Sequence, residues 1–401
     1  MSRLNDSSRP FRLGVLASHP IQYQAPLFEK LAKIPDIELT VLFCSDHGAK
    51  PYLDKGFQKE IKWDTPLLNG YNYKILKNYS LRANPSSFWG LINFDIVKEL
   101  QIGNYDAVWV HGWNSFTNWL VFILAYFKRV PILLRCETNL LPKTSKIKMF
   151  FKKMIMSNLF KRISAFLAIG KYNTEFYLDL GVTKEKIFLV PYSVNNDYFM
   201  SKAKELIPQK KELREKYNIP VDLPVILLSG KLIDVKRPMD LLRAYQELSK
   251  EIQATLIFVG DGVLKDELEN YVKKNQIKNV YFMGFKNQSE LPKIYAIADV
   301  FVLPSSQEPW GLVVNEAMCF GLPVIVSDQV GACGDLIKEG INGFVYPSGD
   351  IDILSEKLKL FLNNSNFINT MNYASKEIIC NWSYNEDIKG VLNCLMKLKK
   401  A

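Results

Sequence analysis

Residues 308–324 read EPWGLVVNEAMCFGLPV and follow the β-branched run Val300–Leu303 across a short loop. The run predicts a buried strand, and the apolar spacing after Gly311 predicts a helix that opens there. Strand, loop and helix in that order make the repeating unit of a parallel sheet covered by helices on both faces. Two carboxylates flank the helix start, Glu308 in the loop and Glu316 inside the helix. Free N–H groups at Gly311, Leu312 and Val313 offer an anion site that the helix dipole favours. Carboxylates accept hydrogen bonds from hydroxyls, so the stretch suits a phosphate flanked by two polyols, the outline of a nucleotide sugar.

The same alternation runs through the 401 residues and predicts strands at 11–17, 38–44, 107–110, 131–134, 165–169 and 187–190. A second set is expected at 225–229, 255–259, 280–283, 300–303, 323–326 and 343–345, so the fold class is α/β with two similar sheets. The expected organisation is a flexible tail over 1–10, a first domain over 11–199, a second over 200–375, and C-terminal helices over 376–401 that cross back to the first. Residues 195–211, polar and with Pro208, read as the linker.

Open parallel sheets bind ligands beyond the carboxyl ends of their strands. After the strand at 225–229 comes GKLIDVKR, residues 230–237, where Gly230 is followed by Lys231 and Lys236, cations that can neutralise a diphosphate. Gly260 and Gly262 suggest a dinucleotide fingerprint, but Lys265 stands where its third glycine belongs, which argues against a dehydrogenase.

The motifs at 230–236, 258–262, 284–285, 298–305 and 308–324 together resemble the C-terminal signature of the retaining group 1 (family 4) glycosyltransferases. That resemblance implies a GT-B fold, two Rossmann-like domains facing each other across a cleft, and transfer of a sugar from a nucleotide diphosphate with retention. It implies that Glu308 meets the donor sugar, Glu316 the ribose, and Lys231 and Lys236 the diphosphate. The backbone of Gly284 and Phe285 is placed near the nucleobase. His111, after the strand at 107–110, matches the family's active-site histidine. The loop SHPIQYQAP, residues 18–26, looks like a variant of the glycine-rich loop, with His19, Gln22 and Tyr23 as acceptor-side candidates. No cofactor is implied and no metal is expected, because the lysines stand where a metal would neutralise the diphosphate. Arg135 and Glu137, after the strand at 131–134, are read either as an internal pair or as acceptor contacts.

Charge sharpens the partner reading. Residues 1–199 hold 26 basic and 16 acidic residues, while 200–401 hold 25 of each, so the whole excess of ten lies in the first half. Between Glu137 and Glu175 there are eight basic residues and no acidic one, and 146–155 has a basic amphipathic pattern. The segment from Lys143 to Arg162 therefore predicts contact with an anionic membrane surface. The longest strongly apolar run, 119–127, has nine residues against the roughly 20 needed to span a bilayer, and six scattered cysteines suggest a reduced, cytoplasmic chain. A glycan or lipid-linked acceptor is expected, and nucleic acid is not. Two rivals remain: a non-hydrolysing sugar-nucleotide epimerase of the same architecture, and a non-catalytic basic membrane-binding protein.

Overall fold

Strands that are apolar on both faces need cover above and below, which forces helices onto each side of the sheet. In the computed structural model, which describes residues 9–54, 56–141, 146–363 and 365–400 and only the backbone of 146–152 and 365–369, two such sheets form. The chain divides into two compact units. One comprises Met1–Tyr52, Thr65–Tyr192 and Tyr384–Ala401, and the other Leu53–Asp64 and Ser193–Ser383.

The first part of the chain runs β1 (Phe11–Ala17), α1 (Ala25–Ala32), β2 (Ile37–Phe43), β3 (Tyr52–Asp54), β4 (Lys59–Ile61), β5 (Asn72–Ile75), α2 (Ile96–Glu99), β6 (Ala107–His111) and α3 (Phe116–Lys128). It continues through β7 (Ile132–Arg135), α4 (Lys146–Phe160), β8 (Ala165–Ala168), α5 (Lys171–Asp179) and β9 (Ile187–Leu189). The first unit's sheet has the order β5-β2-β1-β6-β7-β8-β9 and is parallel throughout, while β3 and β4 pair only with each other. Val108, Val110, Leu134, Phe166 and Tyr177 are fully buried in its core.

The second unit adds α6 (Asn196–Leu206), α7 (Lys210–Lys216), β10 (Val225–Ser229), α8 (Pro238–Leu248), β11 (Thr255–Val259), α9 (Lys265–Lys274), β12 (Val280–Phe282) and α10 (Leu291–Ile297). Then follow β13 (Val300–Leu303), α11 (Leu312–Cys319), β14 (Val324–Ser327), α12 (Cys333–Leu336), β15 (Gly343–Tyr346), α13 (Ile351–Leu362) and α14 (Ser365–Cys380). Its parallel sheet has the order β12-β11-β10-β13-β14-β15. The last helix, α15 (Tyr384–Lys400), belongs to the first unit.

Each sheet reverses its strand order at one place, between β1 and β6 in the first unit and between β10 and β13 in the second. A crevice opens where successive connections leave in opposite directions, so the loops after these four strands are the natural ligand edges. Two local expectations need correction, and one strand of the first unit's sheet was not expected. The stretch 195–211 is not an extended linker but helical, with the Asn195 side chain accepting from Tyr198 N–H at 3.2 Å to cap α6. Of the tail over 1–10, residues 1–8 lie outside the described residues, and Arg9 is tied down by two 2.7 Å bonds to Asp106. The edge strand β5 gave no apolar run to read, since all four of its residues are exposed.

Candidate active site

In the second unit the loop after β10 turns sharply and packs on the loop after β11. Gly260 has φ +130°, and a Cβ there would lie 1.9 Å from the Gly230 carbonyl oxygen, so the GDG sequence serves close backbone approach and no dinucleotide. Lys231 leaves this loop with its Nζ 2.9 Å from Asp54 Oδ1 and 3.0 Å from Oδ2. Lys236 lies in a short 3-10 turn just before α8 and forms an ion pair with Glu308. Burial, reinforced by Lys231, lowers the Lys236 ammonium to about 8.

Glu308 is fixed from both sides by its own backbone, which donates to Gln329 O at 3.1 Å and accepts from Gly331 N–H at 2.9 Å. Three residues on, Gly311 takes a left-handed conformation with φ +96° and starts α11, leaving Leu312 and Val313 in its first turn. Those first-turn N–H groups have no acceptor within the helix, which suits them to phosphate oxygens. Glu316 is buried and accepts a 2.7 Å bond from the Tyr295 hydroxyl. Burial raises its carboxyl to about 7 against the lowering effect of that bond. Gly284, with φ +65°, ends the edge beyond β12, and Phe285 N–H donates to Asp261 at 2.9 Å. The second unit thus brings Gly230, Lys231, Lys236, Gly284, Phe285, Glu308, Gly311 and Glu316 to the carboxyl ends of its strands.

In the first unit His19 and His111 leave β1 and β6, the two strands at the order reversal. His111 stacks on Trp109 at 4.9 Å, and its Nδ1 lies 3.4 Å from the Gln24 amide. Its Nε2 is shielded and has no hydrogen-bond partner among the described residues. Burial and then Arg135 push the imidazole well below its ordinary pKa, so this histidine is neutral at physiological pH. His19 is lowered to about 4 by burial and by His47, whose ring lies 5.2 Å away. The Tyr192 hydroxyl bridges the Tyr23 hydroxyl and the Glu137 carboxylate, while Gln22 sits half-buried on the loop.

Arg135 does not pair with Glu137. Its guanidinium is buried between the rings of Trp109 and Tyr192, donates to Pro191 O at 2.9 Å, and meets Asp387 of α15 at 3.4 Å. Those partners take up the planar fork that acceptor recognition would need. Asp54, Phe57 and Tyr295 carried no local sequence signal, because their relevance arises only from tertiary placement. Among the described residues no group of three His, Cys, Asp or Glu could hold a metal, and no helix is long and apolar enough to cross a membrane.

The basic segment reads differently in the structure. Lys143 lies outside the described residues, as do the side chains of Lys146, Lys148 and Lys152. Lys153 pairs with Asp179 at 2.7 Å. The exposed apolar surface lies where α3 meets the end of α4. There Ile123, Tyr126, Phe127 and Ile155 border a cavity of about 650 Å³ that also takes in Arg129 and Arg162. Among the described residues no acidic side chain lines it, and Arg162 stacks over Tyr126 at 4.5 Å.

Residues 209–378 match the family described as "Glycosyl transferases group 1". An uncharacterized glycosyltransferase of Methanocaldococcus jannaschii is 33% identical over 188 residues, 46% of this chain and 48% of that protein. The sulfoquinovosyl transferase of Arabidopsis thaliana is 34% identical over 157 residues, 38% of this chain and 29% of that protein. The chain thus spans about half or less of the length of these two relatives. Anabaena HepE, solved in complex with UDP, superposes with a TM-score of 0.73 at 18% identity over 96% of this chain and 100% of that one. The match to the group 1 glycosyl transferases thus extends over residues 209–378, and the two parallel α/β units have the GT-B fold.

Proposed function

We propose that this protein transfers a glycosyl group from a UDP- or GDP-sugar to a hydroxyl of a glycan or lipid-linked acceptor in surface polysaccharide or glycolipid synthesis, with retention at the anomeric carbon. The observation that carries the reading is the grouping of Glu308, Glu316, Lys231 and Lys236 around the start of α11 at the order reversal of the second sheet. Cations and helix amides stabilise the departing diphosphate. The bond from the anomeric carbon to the phosphate oxygen breaks while the bond to the acceptor oxygen forms on the same face, and the acceptor proton passes to that phosphate oxygen. Glu308 positions the sugar, Glu316 the ribose, and neutral His111 offers a ring nitrogen to the donor sugar. Held by Tyr192, Tyr23 and Glu137 line the acceptor side with His19 and Gln22.

Incubation with several nucleotide sugars and an acceptor-rich membrane extract should release nucleotide and label a glycan or lipid, and the reaction should persist in EDTA. Conversion of the donor without any acceptor would instead identify an epimerase. Loss of transfer in EDTA with rescue by Mg²⁺ would show that Lys231 and Lys236 do not replace a metal.

The α3–α4 face supports work at the cytoplasmic surface of a cell membrane, since exposed aromatic and aliphatic side chains ringed by Arg129 and Arg162 complement an anionic bilayer. Combining Phe127→Ser with Arg162→Gln is expected to weaken co-sedimentation with anionic vesicles roughly tenfold or more, leaving nucleotide affinity unchanged. Equal sedimentation of both proteins would leave the face a solvated surface.

A further inference from the structure

The charges around Lys231 are balanced in a way that the sequence hides. Two lysines alone would offer two positive charges to a diphosphate. In the structure Lys231 faces Asp54 and Lys236 faces Glu308, so these four described side chains are together formally neutral. A diphosphate entering a neutral cluster gains little electrostatic stabilisation unless one carboxylate leaves.

Of the two carboxylates, Asp54 is the one whose side chain has partners besides its lysine among the described residues, so it can give up Lys231 and stay hydrogen-bonded. Glu308 lies between backbone bonds on either side. Asp54 instead belongs to the short stretch Leu53–Asp64, which departs from the first part of the chain to join the second unit. Asn287 donates to Lys62 O at 2.7 Å, and Ser289 N–H donates to Asp64 at 3.0 Å. Asp54 Oδ1 accepts from Gly56 N–H at 2.8 Å and Phe57 N–H at 3.0 Å, while both carboxylate oxygens lie within 3.0 Å of Lys231 Nζ. Although burial pushes the Asp54 carboxyl up, Lys231 and these two amides bring it below its ordinary value, so it is ionised at neutral pH. Phe57 completes the cover, its ring 4.9 Å from Lys231 Nζ and 5.0 Å, edge to face, from Phe285. One short turn thus sets a carboxylate against the diphosphate cation and an aromatic ring against the residue assigned to the nucleobase edge.

We infer that Asp54 is an affinity-determining residue of the donor site, an internal competitor that occupies Lys231 until a diphosphate takes its place. The inference rests on the nucleotide-sugar reading above for the identity of the ligand, and on the charge pairing alone for the competition. Competition sets a threshold: an anion strong enough to displace a carboxylate enters, whereas a neutral nucleoside gains nothing from Lys231.

Calorimetric titration of Asp54→Asn with UDP, GDP, inorganic pyrophosphate and uridine tests this. Asparagine keeps the side-chain oxygen that accepts from Gly56 and Phe57, so the turn survives while the charge is lost. UDP or GDP and pyrophosphate should bind roughly threefold to tenfold tighter than to wild type, and uridine should be unchanged. In a Lys231→Gln background the same substitution should bring no gain. Unchanged or weaker binding of the diphosphates to Asp54→Asn would overturn the inference and make Asp54 a support for Lys231. Should Asp54→Asn fail to fold, Asp54→Ser, which also forms such turns, carries the same expectations. If wild type binds pyrophosphate but no nucleotide, the nucleotide-sugar reading fails, and the pyrophosphate comparison still decides the competition.

Discussion

Glu308→Gln is expected to lower kcat by about a hundredfold or more while changing KM for the nucleotide sugar only a few-fold, because a sugar contact that positions the reacting carbon matters most in the transition state. Stability should fall as well. Lys236 is half-buried, and without its partner carboxylate the ammonium is left uncompensated, a change that costs on the order of 1–3 kcal/mol. The pH dependence has a definite sign. A lysine whose folded pKa is near 8 releases a proton that the unfolded chain still holds up to its ordinary value of about 10.5. Stability therefore rises with pH across that window, and the variant should recover part of its loss there. Steady-state kinetics with urea unfolding at several pH values gives both readings. A variant with both kinetic constants near wild type would remove Glu308 from the sugar pocket.

The second large effect runs the other way. Glu316→Gln should stabilise the ligand-free protein above neutral pH while weakening nucleotide-sugar binding roughly tenfold through loss of a charged acceptor. Burial raises the Glu316 carboxyl to about 7 against an ordinary value of 4.5, so the folded protein holds a proton that the unfolded chain has released. Between those values stability declines as pH rises, and at pH 8 the ionised carboxylate costs about 3 kcal/mol. Glutamine still accepts from Tyr295 and avoids that cost. The gap in unfolding free energy between variant and wild type should be widest at pH 8 and shrink to under about 1 kcal/mol at pH 5. A gap of the same size at both values would show that the carboxylate is not strained by burial.

Both expectations trace to residues that the sequence exposes and to surroundings that it hides. The twelve principal strands are legible because each is a short apolar run between helix-length segments, most of them buried on both faces; β10, β11 and β13 match their expected bounds residue for residue. Glu308, Gly311 and Glu316 are legible because strand, loop and helix fix their spacing. Their charge states are not, since the ion pair of Lys236 with Glu308 and the burial of Glu316 against Tyr295 depend on chain brought in from elsewhere. The same limit hid Asp54, which lies 177 positions from Lys231. Arg135 shows it most plainly. Its neighbour two residues on, Glu137, is the obvious partner, but the structure supplies Asp387, 252 positions away.

That distant partner bears on the order in which the molecule is assembled. A ribosome releases the second unit's last residue, Ser383, before any of α15 exists. The Asn173 and Cys136 region of the first unit can close on itself early, but Arg135 waits for Asp387, and the Tyr23 carbonyl waits for the Tyr384 hydroxyl that reaches it at 2.8 Å. The unit begun first is therefore finished last during synthesis, and hydrogen exchange on nascent chains stalled at increasing lengths would see its protection lag behind that of the second. A chain halted before Tyr384 holds a complete second unit joined to an incomplete first one.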